Sequence, residues 1–482
     1  MDRVGSRAVV MGASMAGLLA ARVLADAFDD VVLVDRDTPP EAVGPRRGVP
    51  QGRQVHALLA RGREALDELL PGLSRDLIAR GALPFDTGDD GRYHLDRDRT
   101  MAARPSGIVG ILLTRPLLED EVRRRVHALA RVRAIAGAAA EPVLEGSRVV
   151  GVRLDGNGRV DEFVAADLVV DATGRGSRTP AWLERQGLPR PTESTVDVRV
   201  GYSGFTFPRR PDDLDGVLVV LTFPRPEQRR LTVALAVEGN RWLITGVGYC
   251  GDRPPADLPG FRAFLDCTDA PEVAALARSR EPLARVGAVH GFPASVRRHY
   301  ERLATLPDCL LVTGDAVASF TPVYAQGMTV AALDALALRD ALAAGPLGLS
   351  RRFTRSVGRI VDLVWDLSAG SDLALPYVPG PRPLKNRLVN RYIGMVNNAS
   401  TVDPGVGARF GRVINMLDRP EALLAPRMVL DVLRGTRAAK RAATATPTGT
   451  TPPELPRPRQ PAPAETRSPE PTVGPSTDGL DL

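Results

Sequence analysis

The first two hydrophobic runs of the chain are continuous, not alternating. Ala8-Val9-Val10-Met11 and Val31-Val32-Leu33-Val34 are short and apolar at consecutive positions, which predicts strands buried on both faces of a parallel sheet. Between them, Leu18 to Ala27 is rich in Ala and Leu and predicts a helix. The same texture returns at Leu168-Val169-Val170-Asp171 and at Cys309-Leu310-Leu311-Val312-Thr313-Gly314-Asp315. Helical spacing marks 55–70 and 116–130, and a long Ala/Leu-rich helix is expected at 327–344. Residues 149–170 read as two strands about a turn at Asp155-Gly156-Asn157-Gly158. From 196 to 249 the segments 196–207, 217–223, 231–237 and 241–249 read as successive strands, an antiparallel sheet inserted into the α/β body. Residues 350–440 are mostly helical in pattern.

Composition narrows the class. The chain has 482 residues, 44% hydrophobic, enough for two or three domains. Residues 443–482 hold ten prolines, many Thr and Ser and scarcely any large apolar side chain, so this tail is expected to be disordered. The three cysteines, Cys250, Cys267 and Cys309, fit neither a disulfide framework nor a zinc pattern and suit a reducing cytosol. The formal charge of +6 is carried by 61 arginines and only two lysines, and basic and acidic residues alternate, as in Asp96-Arg97-Asp98-Arg99. A nucleic-acid surface segregates them, so no nucleic-acid partner is expected. No run approaches the ~20 apolar residues of a membrane span. The apolar stretch after Val9 is interrupted by Arg22, unlike a signal peptide. A large cytoplasmic enzyme is the expectation.

The turn between the first strand and helix reads Gly12-Ala13-Ser14-Met15-Ala16-Gly17. Small residues there let the backbone approach a pyrophosphate, whose charge rests on the helix N-terminus. Asp35 ends the second strand, 23 residues after Gly12, where an acid accepts hydrogen bonds from an adenosine ribose. Ser14 replaces the usual middle glycine. A second motif, Leu311-Val312-Thr313-Gly314-Asp315-Ala316, places an acid at a strand end, followed by Pro322, Gln326-Gly327-Met328 and the long helix. That acid is placed to hold a ribityl chain or the neighbouring ribose. The helix N-terminus near Gly327 is placed to stabilise negative charge on a reduced flavin ring. The two motifs together point to a flavin dinucleotide.

With Asp171-Ala172-Thr173-Gly174-Arg175-Gly176-Ser177-Arg178 between them, these motifs resemble FAD-dependent monooxygenases of the aromatic-hydroxylase superfamily. Arg47-Gly48-Val49-Pro50-Gln51, His56, Leu58-Leu59, Thr114-Arg115-Pro116-Leu117-Leu118 and Tyr324-Ala325-Gln326-Gly327-Met328 are similar to the epoxidases of polyether antibiotic biosynthesis, which in turn resemble squalene epoxidases. The likeness covers about residues 6–430. It implies a Rossmann-like FAD-binding domain in two parts, 1–190 and 286–345. An inserted β-sheet substrate domain at 191–285 and a C-terminal helical region at 346–442 complete the body.

The resemblance implies FAD contacts at Gly12, Ser14, Gly17, Asp35, Arg47, Arg115, Asp315, Gly327 and Met328. It also implies secondary metabolism, with O2 as co-substrate and a flavin C4a-hydroperoxide as oxidant. Alkene epoxidation of a hydrophobic polyketide or isoprenoid precursor is preferred, and hydroxylation of an aromatic polyketide comes second. The family's Asp-Gly pair, linked to FAD and NADPH, is replaced here by Ala172-Thr173-Gly174, and no second Gly-rich βαβ unit offers a nicotinamide site. NAD(P)H is therefore expected as electron source directly or through a flavin reductase. Peripheral membrane contact is expected, if anywhere, through the 384–435 helices.

No acid–base pair stands out. His56, on the predicted helix after Gln51, and Tyr324 and Phe320, in the loop before Gly327, are the pocket candidates. His290 and His299 read as surface or structural. Phe205, Phe207, Phe223, Trp242 and Tyr249 lie on the inserted strands, either packing the core or lining the pocket. A flavin halogenase would carry a Trp-x-Trp signature, and Trp182, Trp242 and Trp365 form none. A flavin-dependent reductase and a flavin-binding assembly protein are the remaining readings.

Overall fold

The computed structural model describes residues 3–40, 42–46, 48, 50–286 and 290–445. Its centre is a five-stranded parallel sheet in the order Leu310–Val312, Leu168–Asp171, Gly5–Met11, Phe28–Asp35, Val132–Ala136. The continuous apolar runs occupy the middle strands, where Ala8, Val9, Val10, Val31 and Val32 have no exposed surface. The helix Met15–Leu24 packs on this sheet and on the long helix Gly327–Ala343. Because the strands run parallel, Met11, Asp35, Asp171 and Val312 end at one edge, where ligands of such folds sit.

A second sheet is mostly antiparallel: Ala318–Ser319, His290–Arg298, Glu193–Pro208, Arg241–Gly248, Arg230–Val237, Val219–Thr222 and Gly91–His94, with Ala284–Arg285 beside Glu193–Pro208. It takes strands from beyond 191–285, and Gly91–His94 joins it parallel to Val219–Thr222. Alternation gives it two faces. Phe205, Phe207, Val220, Ala234, Trp242 and Ile244 pack under the helices Leu258–Asp266 and Pro271–Ser279. Tyr202, Val219, Leu221, Val233, Leu235 and Val247 face a large cavity.

The helices Leu349–Ala374, Leu384–Ser400 and Pro404–Ile414 cover the other side of that cavity, and Pro426–Ala445 packs on the latter two. Leu384–Ser400, Pro404–Ile414 and Pro426–Ala445 share a small core that includes Val396, Val406, Val413 and Val432. The helix expected at 55–70 begins only at Ala60, because Ala57–Leu58 is pulled into a strand against Ile111 and Leu112. His56 therefore lies in a loop. Arg148–Gly156 and Arg159–Ala165 are the two strands expected before the buried run Leu168–Asp171, and Asn157 and Gly158, both at positive φ, make the hairpin turn expected there. The terminal helix reaches Ala445, so residues 443–445 of the expected tail are helical, and 446–482 lie outside the described residues. The three cysteines are unbridged. Among the described residues no helix is long and apolar enough to cross a membrane, and no group of ligating side chains is arranged for a metal.

Candidate functional site

The first strand stops at Gly12, whose φ of +98° favours glycine. A Cβ there would meet the Ala172 carbonyl oxygen at 2.4 Å. In the helix that follows, the first intrahelical bond is donated by the Leu18 N–H to the Ser14 carbonyl (2.9 Å). The N–H groups of Met15, Ala16 and Gly17 thus have no intrahelical acceptor and lie at the positive end of the helix dipole. Ser14 does not cap the helix with its hydroxyl; it lines the cavity with Gly12 and Ala16. Gly17 is set back from the cavity wall. A Cβ on it would overlap the Gly12 carbonyl oxygen at 1.8 Å, so its smallness lets the helix lie against the strand end.

Asp35 is held firmly by the protein. Its Oδ2 accepts from the Ala13 N–H (2.6 Å) and from Arg46 (2.9 Å), and Oδ1 accepts from the Asp37 N–H (2.8 Å). Arg46, only 8% exposed, also donates to Glu119 (2.7 Å) and to the Ala13 carbonyl (2.9 Å). Glu119 pairs further with Arg115 (3.2 Å) and Arg123 (2.6 Å). Burial pushes the Glu119 carboxyl up, but Arg115, Arg46 and Arg123 outweigh it and hold the group below the usual range. Arg47, the arginine expected beside the cofactor, lies outside the described residues.

The second motif folds against the first. Gly314, at φ +63°, brings the Asp315 turn so close that a Cβ on it would meet the Ala16 Cβ at 2.7 Å. Asp315 is exposed to the cavity that it lines. Burial pushes its carboxyl up, opposed by Arg115 and Arg175. The long helix begins beside it at Gly327, where a Cβ would sit 3.9 Å from Asp315 Oδ1. Its first intrahelical bond is donated by Val330 to the Gln326 carbonyl (3.0 Å), so the Gly327, Met328 and Thr329 N–H groups lack intrahelical acceptors. Gln326, 3% exposed and also in the cavity wall, has a side-chain oxygen with no partner.

His56 lines the same cavity. Its Nδ1–H donates to the Gln54 carbonyl (2.9 Å), leaving Nε2 as an acceptor. Burial, then the Arg115 charge, push its pKa down to about 4, so the imidazole is neutral at physiological pH. Phe320 and Tyr324 are also in the wall; Phe320 is 7% exposed and tilts against Trp365.

Both motifs, Arg46, Arg115, His56, Phe320 and Tyr324 border one cavity of about 1360 Å3. One end runs from Gly12 and Asp35 past Ala138–Pro142; the middle passes Arg115, Asp315 and Gly327. The other end is a chamber between the large sheet and the C-terminal helices. None of the chamber residues that these two elements contribute is Arg, Lys, Asp or Glu. A dinucleotide fits the first two stretches. Two helix termini with unpaired N–H groups, a glycine cradle that a Cβ would close, and an orphaned Gln326 oxygen await polar partners.

Of the sheet aromatics, Phe223 lines the cavity, while Phe205, Phe207 and Trp242 pack on the opposite face. Tyr249 is buried behind the wall. His299 is structural, bonded to Ser194 (2.8 Å) and Glu301 (2.9 Å); the side chain of His290 lies outside the described residues. Sequence reasoning missed Arg46, Glu119, Tyr202 and Asp372. Glu119 alone left a trace, one helical turn after Arg115.

No protein-family profile matches the chain. It is 37% identical over 443 residues to "Protein Rv3254" of Mycobacterium tuberculosis, covering 86% of this chain and 91% of that one. It is 27% identical to a kynurenine 3-monooxygenase of Salinispora arenicola over 72% of this chain and 74% of the relative. Among solved structures, the fold matches 2-methyl-3-hydroxypyridine-5-carboxylic acid oxygenase with a TM-score of 0.57 at 19% identity, covering 84% of this chain and 96% of that one. It matches the flavin-dependent brominase Bmp2 with a TM-score of 0.62 at 13% identity, covering 91% and 100%. The chain belongs to one family with protein Rv3254, on the fold of the FAD-dependent monooxygenases of aromatic-hydroxylase type.

Proposed function

We propose that the protein is an FAD-dependent monooxygenase that inserts one oxygen atom of O2 into a large, uncharged, mainly apolar biosynthetic intermediate. The observation that carries this reading is the cavity that joins both nucleotide motifs to a chamber whose sheet and helix walls contribute no charged side chain. Bound flavin supplies the activation of O2, which no side chain provides. The N–H groups of Met15 to Gly17 hold the pyrophosphate, Asp35 takes the adenosine ribose, and Asp315 takes the phosphate–ribityl side. The N–H groups at Gly327 and Met328 lie where negative charge on the ring would gather. Arg115, tied to Glu119, contributes a fixed positive charge between them. The sheet face and the C-terminal helices shield the reacting atoms from water.

NAD(P)H is the proposed electron source, directly or through a separate flavin reductase. The uncharged sheet and helix walls support epoxidation of a polyketide or isoprenoid alkene, as the polyether-epoxidase resemblance suggests, because that step needs no ionisable side chain. A second reading, hydroxylation of an aromatic polyketide, is favoured by the buried Asp372 behind Tyr324. The test is turnover of extracts from a strain lacking the gene, with purified protein, FAD, NADPH, a flavin reductase and 18O2. One labelled oxygen atom in a new product is expected. Product formation without O2, or halogenation in its place, would overturn the proposal.

A further inference from the structure

The helix Leu384–Ser400 meets the cavity along one stripe: Asn390, Ile393, Gly394 and Asn397. Spacings of three, four and seven residues put these positions on one face over two turns. At Gly394, in the middle of the stripe, a Cβ would meet nothing within 4 Å, so this face opens onto space and not onto packed side chains.

Two of the four positions carry primary amides, each with an acceptor oxygen and a donor nitrogen. Asn390 Nδ2 donates to the Gly370 carbonyl of the helix Leu349–Ala374 (3.0 Å), which fixes the amide and leaves Oδ1 as its free end. Asn397 Oδ1 is sealed from solvent. Asn397 Nδ2 and Asn390 Oδ1 are not sealed in this way, and neither has a partner among the described residues. A third amide of the wall shows the contrast. Asn415, 2% exposed, is used up by the fold: its Oδ1 accepts from the Ala60 N–H (3.0 Å) and its Nδ2 donates to the Gly411 carbonyl (3.0 Å). The helix Leu384–Ser400 thus offers the cavity one free acceptor and one free donor, about 10 Å apart at a rise of 1.5 Å per residue. On the opposite side the large sheet contributes Val219, Leu221, Val233 and Leu235. A hydrocarbon laid between these walls strips water from both amide atoms and returns no hydrogen bond.

We propose that Asn390 and Asn397 select the substrate by two oxygen functions on an otherwise apolar skeleton. A hydroxyl donates to Asn390 Oδ1, and a carbonyl accepts from Asn397 Nδ2. The site rests on the monooxygenase reading for its purpose and names the substrate class within it: an oxygen-bearing polyketide, not an isoprenoid hydrocarbon. Neither amide takes part in oxygen transfer. Two anchored points leave a long molecule one register in the chamber, and that register decides which of its carbons is oxidised.

Epiandrosterone serves as a ruler for the pair, because it carries a hydroxyl and a ketone at opposite ends of a rigid apolar skeleton, at about that spacing. Equilibrium dialysis against the FAD-loaded protein compares it with its parent hydrocarbon, androstane, and with the two relatives that lack either the hydroxyl or the ketone. Each oxygen is expected to tighten binding roughly tenfold. In Asn390→Leu the gain from the hydroxyl disappears and the gain from the ketone remains. Asn397→Leu does the reverse, so the surviving gain shows that each variant is folded. Gly394→Leu fills the space between the amides and weakens all four ligands. Equal affinity for epiandrosterone and androstane, absence of epiandrosterone binding, or gains that do not follow the two asparagine substitutions in this way would overturn the site. Dialysis needs no flavin signal, and flavin content is read separately in the same samples. Protein that binds no FAD yet keeps this pattern would sink the monooxygenase reading and leave the site standing; flavoprotein without the pattern would do the opposite.

Discussion

Asp334 gives the long helix a measurable dependence on pH. It is 1% exposed and lies beneath the Asp315 turn. Its Oδ2 accepts from the Gly314 N–H (3.0 Å) and the Thr313 hydroxyl (3.1 Å), while Oδ1 has no partner. Burial pushes its pKa up to about 7 from 3.8, against the two donors and with the like charge of Asp315 adding to the rise. Across that window the folded state keeps a proton that the unfolded chain releases, so this group's contribution to stability falls as pH rises. At 1.36 kcal/mol per pKa unit, the loss between pH 5 and pH 8 is about 2 to 3 kcal/mol. Asp334→Asn keeps an oxygen for Gly314 and Thr313 and removes the titration. Urea unfolding of both apo-proteins, followed by tryptophan fluorescence (Trp182 lies in the same core), reads the difference. The stability of the variant relative to wild type is expected to rise by that amount between pH 5 and pH 8. An unchanged difference would show that Asp334 is ionised in the folded protein throughout, and would refute the reasoning.

Gly17→Ala forces the first helix off the strand end, at about 1 to 3 kcal/mol, and yields protein largely free of flavin by its 450 nm absorbance, whereas Ser14→Gly stays yellow. Glu119→Gln leaves Arg46, Arg115 and Arg123 without their shared anion; unfolding free energy falls by about 3 to 5 kcal/mol in urea titration. Phe207→Ala destabilises by about 3 to 5 kcal/mol in the same assay without changing substrate affinity, because Phe207 packs on the sheet face away from the cavity. Leu235→Trp, on the cavity face, weakens substrate binding and leaves flavin content unchanged.

The parallel sheet, both nucleotide motifs and the helix–sheet–helix succession are legible in the sequence because each rests on local signals. Continuous apolar runs, a Gly-rich turn and an acid at a strand end are all read within about ten residues. His56 went astray for a non-local reason: Leu58 has the spacing of a helix residue, yet the strand Val109–Leu112 captures it. The sheet aromatics were legible as alternating, but the pattern cannot tell which face meets the helices and which the cavity. Arg46 and Glu119 stand 73 residues apart, and Tyr324 and Asp372 stand 48 apart. No spacing rule joins such pairs. Asp372 reads in sequence as an ordinary polar position of an amphipathic helix, and its burial is decided by Tyr249 and Thr321 arriving from other elements.

The placement of charge along the cavity bears on what the chamber admits. Arg46, Arg115 and Arg175 all line the stretch around the two nucleotide motifs. On the proposed reading, two phosphates and a reduced ring would bring negative charge to that stretch. The chamber beyond it draws only neutral residues from the large sheet and the C-terminal helices. A substrate carboxylate held against those walls would be desolvated without a counter-ion from them, and an isolated buried charge costs far more than one hydrogen bond returns. A hydroxyl faces no such penalty while it keeps its proton. It ionises at acceptable cost only where a neighbour takes that proton away and gives up its own negative charge in the same step. The neutral walls that the large sheet and the C-terminal helices contribute therefore favour, on the proposed reading, a substrate that enters without charge.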